Sequence, residues 1–177
     1  SGTATINIGG NFIHNGSNIF RLANNASAVI TLNIDKNLQV NSGTLDVNFT
    51  SGATSTINLK GDLTVGTTAA LLANNGTNAT VNYNGTGDGL TSETTQTIDV
   101  ANAATASNIA FNVNSGAYVR LINQNLAIGT NSQFIVKNGG TLDFGFKSDG
   151  TALNIERVAS QNGQKFTVEN GGTLMIT

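Results

Sequence analysis

The feature that most constrains this chain is a repeat of about 25 residues, visible when the sequence is laid on itself. Thr5 to His14 reads TINIGGNFIH, Thr31 to Val40 reads TLNIDKNLQV and Thr56 to Val65 reads TINLKGDLTV, so the starts are almost evenly spaced. A fourth copy, TVNYNG, begins at Thr80 and keeps nearly the same step. A second marker holds it too: Leu22 opens LANNAS, Val47 opens VNFTSG, Leu72 opens LANNGT and Val100 opens VANAAT. A third marker, a hydrophobic triplet followed by a glycine turn, starts at Leu38 (LQVNSGTLDV), Phe111 (FNVNSGAYV), Phe134 (FIVKNGGTLDF) and Phe166 (FTVENGGTLMI). Its last interval, Phe134 to Phe166, is clearly longer than the repeat, which places a loop excursion within 145–164, where KSDG and QNGQ carry turn chemistry.

Inside each copy apolar and polar residues alternate with period two, the signature of a strand. Stacking the copies puts Ile6, Leu32, Ile57 and Val81 in one inward column and Ile8, Ile34, Leu59 and Tyr83 in the next. Thr5, Thr31, Thr56 and Thr80 then form an outward column, beside a second of Asn7, Asn33, Asn58 and Asn82. The expected fold is all-β: a right-handed parallel β-helix (β-solenoid) of about seven coils, a single segment spanning residues 1–177. At about 4.8 Å per rung such a rod is roughly 30 Å long. The absence of proline agrees, since proline would remove a ladder donor from any interior strand. A β-sandwich would give similar local strands and turns, but it has no reason to align columns at a constant step.

Composition narrows the function classes. The chain holds 27 Asn and 24 Thr, while charged residues make up only 10%, so short amides and hydroxyls must supply most of the polar surface. Plentiful, regularly spaced Ile, Val, Leu and Phe argue against disorder. A net charge of −2 with no basic run argues against nucleic acid as a partner and against an anionic membrane surface. No cysteine is present, which removes disulfides, thiolate metal sites and a Cys nucleophile. No apolar run is long enough to span a bilayer, so membrane insertion of this segment is not expected. Ser1 does not begin a signal peptide, and neither end reads as a cap; the expectation is an excised piece of a longer repetitive protein, able to stack end to end.

The units TINIGGNF, TINLKGDLTV, VNYNGTGDGLTSETTQTIDV and FIVKNGGTLDFG resemble the repeats of very large secreted adhesins of Gram-negative bacteria. That group includes gliding-type surface adhesins, and its coils are similar to those of filamentous-haemagglutinin and autotransporter passenger domains. The similarity runs over nearly the whole chain. It implies a secreted, elongated parallel β-helix displaying binding surfaces outside the cell, and it carries over no catalytic residue and no receptor.

A polysaccharide-degrading enzyme is the competing class, because the same fold supports such chemistry. The Gly-His-Gly and Arg-Ile-Lys elements that accompany clustered Asp in pectin-degrading hydrolases are missing. His14 falls in the column of Val40 and Val65, which predicts a half-buried position in the first coil. Asp35 and Asp62 are the best carboxylate pair across coils, though both read as corner residues, as do Asp88 in NGTGDG and Asp149 in KSDG. Gly85 to Gly89, GTGDG, is a single faint echo of a calcium-binding turn, and without recurrence it predicts a plain turn. Neither a metal nor a cofactor is expected.

The outward columns carry the functional reading. A flat face of Thr5, Asn7, Thr31, Asn33, Thr56, Asn58, Thr80 and Asn82 offers amides and hydroxyls that match sugar hydroxyls, which favours glycan or surface attachment. The same array could order water and bind ice, although an ice site usually wants Thr-X-Thr and here Asn holds the second place. Sequons at Asn15, Asn25, Asn48, Asn75, Asn78 and Asn84 arise readily by chance in so Asn- and Thr-rich a chain.

Overall fold

A computed structural model describes residues 2–74, 78–87, 89, 95–100, 107–147, 149–157 and 162–176, and every element among them is a strand. The first coil comprises β1 (Gly2–Ile8), β2 (Phe12–His14) and β3 (Ile19–Arg21). The second comprises β4 (Ala28–Ile34), β5 (Leu38–Val40) and β6 (Gly43–Asp46), and the third β7 (Thr54–Leu59), β8 (Leu63–Val65) and β9 (Ala69–Leu72). The fourth has β10 (Ala79–Tyr83) and β11 (Gln96–Val100). The fifth has β12 (Ile109–Val113), β13 (Tyr118–Leu121) and β14 (Leu126–Ile128), and the sixth β15 (Gln133–Val136), β16 (Thr141–Phe144) and β17 (Ile155–Arg157). β18 (Lys165–Val168) and β19 (Thr173–Ile176) follow.

Strands of the first two walls pair in parallel with their counterparts one coil on, giving the β-solenoid that the repeat predicts. A first wall of seven strands runs β1-β4-β7-β10-β12-β15-β18, and a second wall of seven runs from β2 to β19. The third wall is in two pieces, β3-β6-β9 and β14-β17. Five coils therefore carry all three strands, and the complete turns number about five where the spacing suggested about seven. Among the described residues the fourth and seventh coils have two strands each.

The register of the first four coils is the one the alternation predicts: Ile6 pairs with Leu32, Leu32 with Ile57 and Ile57 with Val81. Leu32, Ile57 and Val81 are buried, each contributing about 1.5–3 kcal/mol by leaving water. The column then turns aromatic, Val81 being followed by Phe111, Phe134 and Phe166. The rings of Phe111 and Phe134 stack with centroids 6.2 Å apart, and those of Phe134 and Phe166 with centroids 6.1 Å apart.

Two of the repeat markers mix walls. Leu38 belongs to the second wall, whereas Phe111, Phe134 and Phe166 belong to the first, so the glycine turn after each marks a different corner. Leu72 pairs with Asp46 and not with Val47, and Val100 pairs with Val65 in the second wall. Local turn chemistry is the same at both corners, which is why the letters align while the walls do not. Within 145–164 the chain makes a small antiparallel bridge, Phe146 to Ala152, and then re-enters the solenoid as β17 against β14.

One corner demands glycine outright. Gly43 has φ +68°, and a Cβ there would stand 2.1 Å from the Gly16 carbonyl oxygen and 2.6 Å from that of Asn18.

Candidate functional site

The outward side of the first wall is built by the strand alternation that fills the core. Thr5, Thr31, Thr56 and Thr80 stand in register, and the column ends at Ala110. Asn7, Asn33, Asn58 and Asn82 form the next, continued by Asn112 and ended by Ile135. All eight residues singled out in the sequence thus lie on one face of the wall.

The asparagines are joined side chain to side chain. Asn33 Nδ2 donates to Asn7 Oδ1 at 2.7 Å, Asn58 to Asn33 at 2.8 Å, Asn82 to Asn58 at 2.9 Å and Asn112 to Asn82 at 2.9 Å. Every amide points the same way along the rod, and such chains polarise and strengthen one another. The ladder stops where Ile135 supplies no amide, leaving Asn112 Oδ1 buried without a donor among the described residues.

A third outward column adjoins it. Backbone bonds from Asp35 to Ile8, Lys60 to Ile34, Asn84 to Leu59 and Asn114 to Tyr83 carry the parallel pairing one residue past the strands. Asp35, Lys60, Asn84 and Asn114 are thereby stacked. Lys60 Nζ lies 2.7 Å from Asp35 Oδ1, Asn84 Nδ2 donates to Asn58 Oδ1 at 3.3 Å, and Asn114 Nδ2 donates to Asn84 Oδ1 at 2.5 Å. Further along, Lys137 bonds Glu169 at 2.8 Å, and that bond holds the Glu169 carboxyl below its ordinary range.

At the corner between first and second walls, side chains cap the backbone of the next coil. Asn11 Oδ1 accepts from Asn37 N at 3.0 Å, Asn37 Oδ1 from Asp62 N at 2.9 Å, and Asp62 Oδ1 from Thr97 N at 2.7 Å. Gln96, 4% exposed, ties the segment after β10 to this corner: its Oε1 accepts from Gly85 N at 2.7 Å, and its Nε2 donates to the carbonyls of Gly61 at 2.7 Å and Leu59 at 3.1 Å. Between that segment and the corner lies a groove of about 760 Å³ that includes Lys36, Asp62 and Thr86. A smaller recess of about 370 Å³ over Asn7, Asn33 and Asn58 shares Asp35, Lys60 and Asn84 with it.

Asp35 and Asp62 both line the groove, but one is committed to Lys60 and the other to the Thr97 backbone. His14 occupies the column of Val40 and Val65, half-buried, with Nε2 3.1 Å from the Asn18 carbonyl oxygen. Asp149 is an exposed turn residue whose carboxyl is held low by its bonds to Thr151. In GTGDG, Gly85 and Gly87 bond to Gln96 and to the Gly116 carbonyl, while Asp88 lies outside the described residues. Among the described residues no three of His, Asp and Glu are grouped to hold a metal ion. Of the sequons, Asn48 is buried and bonded to the Ala53 carbonyl, Asn15 and Asn84 are engaged in amide pairs, Asn25 caps its own turn through Ser27 N, Asn78 is exposed, and Asn75 lies outside the described residues.

The sequence reading missed Asn112, and it missed a buried cluster on the second wall. There Asp143 Oδ2 accepts from Tyr118 Oη at 2.8 Å and from Arg120 Nε at 2.7 Å. Burial and the hydrogen bond to the Asp143 carboxylate push the Tyr118 phenol up, and the same carboxylate holds Arg120 charged. The strand alternation was a usable signal for Asn112. Nothing in the local sequence signals that Asp143 is covered.

No known family, no curated protein and no solved structure matches the chain.

Proposed function

We propose that this β-solenoid is a structural and adhesive segment of a bacterial cell-surface or secreted adhesin, working outside the cell, with the Thr and Asn flank of the first wall as its attachment surface. The observation that carries the reading is the registered amide ladder: five asparagines on successive coils, held in one orientation, beside a column of four threonines. A side chain so fixed has already lost its conformational freedom, and a ligand that binds it does not have to supply that ordering. The charged groups of the flank support a non-catalytic reading, since Asp35 and Asp62 are tied to a neighbouring coil rather than turned toward each other.

Glycan-array binding and a surface-display adhesion assay test this function. The segment is expected to bind a subset of glycans and to confer attachment, and each should weaken when Thr31 and Thr56 are replaced by Val. Inertness in both assays would leave only a spacer. Ice binding is a second reading, favoured by the four registered threonines; thermal hysteresis is its measurement, and none is expected here because Asn occupies the paired place.

A further inference from the structure

Resting on the adhesive reading, we infer that the ligand is a neutral, extended polysaccharide lying along the rod axis, its sugars in step with the coils. It is seated where the amide ladder meets the first corner. Three observations point there.

The first is the free valence of the ladder. An Asn amide has two N–H donors and a carbonyl with two lone pairs. Asn33, Asn58, Asn82 and Asn112 each spend one donor on the coil before, which leaves a second N–H on each, repeated once per rung. Rungs about 4.8 Å apart offer a free N–H at intervals of the order of one sugar's length. Five rungs span four steps, about 19 Å, enough for four to five sugars. A ligand lying across the wall would meet one rung and waste the repeat.

The second is shape. The ladder does not lie on a plain surface: the recess over Asn7, Asn33 and Asn58 joins the groove beneath the segment pinned by Gln96. A chain laid on the ladder therefore has one concave side to rest against.

The third is charge. The groove holds Lys36 and Lys60 against Asp35 and Asp62, two positive and two negative, for a sum of zero. Lys60 is bonded to Asp35, and Asp62 to a backbone N–H. An acidic polysaccharide would face the carboxylates of Asp35 and Asp62 in the same groove, whereas a neutral one meets no net charge. No aromatic ring lines the groove among the described residues, so each sugar gains only solvent-exposed hydrogen bonds, each weak on its own. Affinity must then grow with chain length, and adhesion must draw on many coils at once.

The test is titration of the protein with fragments of glucan, mannan and galactan, two to six sugars long, and with polygalacturonate and heparin fragments of the same lengths. Binding is read by calorimetry and by the side-chain amide NMR signals of Asn33, Asn58 and Asn82. At least one neutral series should tighten by a factor of two or more with each added sugar, levelling at about five. Those three signals should shift, and Thr56→Val should weaken binding at least threefold. Tighter binding of an acidic series, affinity independent of length, or shifts elsewhere would overturn this inference while leaving adhesion standing. Failure of every glycan on the array and in the adhesion assay would overturn both.

Discussion

Cutting the amide ladder at its middle rung should cost more than cutting it at its end. Asn58 makes three side-chain bonds: it donates to Asn33 at 2.8 Å and accepts from Asn82 at 2.9 Å and from Asn84 at 3.3 Å. A neutral hydrogen bond contributes about 0.5–1.5 kcal/mol net, and this face admits water to the groups left behind, so the lower half of the range applies. Asn58→Ala should then destabilise the protein by about 2 kcal/mol. Asn7→Ala removes one exposed bond and should cost about 0.5 kcal/mol. Asn112→Leu should be near neutral, because the bond it loses is offset by removal of an oxygen already buried without a donor. Asn58→Thr, which keeps strand propensity and cuts the amide chain, separates the ladder from the backbone effect of alanine.

Urea unfolding followed by far-UV circular dichroism reads these differences at constant m-value. A double-mutant cycle of Asn33→Ala with Asn58→Ala should give a coupling of about 0.5 kcal/mol or more, as expected for directly bonded neighbours. If Asn58→Ala cost no more than Asn7→Ala, or if the cycle showed no coupling, the asparagines would be independent solvated side chains and the ladder argument would fail.

Four other substitutions probe the scaffold. Tyr83 Oη is buried with no partner among the described residues, beside a gap of about 30 Å³ in the core, so Tyr83→Phe should leave the melting temperature unchanged or raise it, by up to about 1 kcal/mol in stability; a clear loss would mean that the hydroxyl has a partner. Gly43→Ala should cost at least about 2 kcal/mol, because both its φ and the Gly16 carbonyl forbid a Cβ, whereas Gly10→Ala, with open space around it, should be mild in the same thermal melt. Burial raises the Asp46 carboxyl above its ordinary range against the opposing pull of two backbone N–H bonds and Arg21. A raised folded value means that the folded state binds its proton more tightly. This contribution to stability is present below the unfolded value and is lost as pH rises through the raised one. Asp46→Asn keeps an acceptor for the N–H groups of Asn48 and Asn74, so it should abolish this part of the pH dependence and stabilise the protein at neutral pH; an unchanged pH–stability curve would refute it.

How far the fold could be read from the letters depends on where the step stayed constant. Through the first four coils the ladder asparagines follow one another at steps of 26, 25 and 24, and each copy repeats Thr-x-Asn, so wall, register and face all follow from one alignment. Between Asn82 and Asn112 the step jumps to 30, and there the alignment lost its footing. NSG after β5 turns from the second wall to the third, while NSG after β12 turns from the first to the second. A glycine corner announces a turn and carries no label for which walls it joins, because Gly43 and Gly116 both take a positive φ at the two different corners. Asn112 was lost to that ambiguity although its place in the alternation is regular.

The Tyr118, Arg120 and Asp143 cluster was hidden for a different reason. The pattern TLDF places Asp143 on the outward face, and outward means exposed only if nothing crosses the wall. A Cβ on Gly89 would stand 2.2 Å from the Tyr118 ring, so the backbone at Gly89 lies directly against that ring. The long fourth coil thus does two things with one insertion: it breaks the sequence period, and by way of Gly85, Thr86 and Gln96 it raises a rim beside the first corner. That rim forms one side of the groove that adjoins the recess over Asn7, Asn33 and Asn58. The insertion that interrupts the repeat therefore also shapes the groove, through Gly85, Thr86 and Gln96.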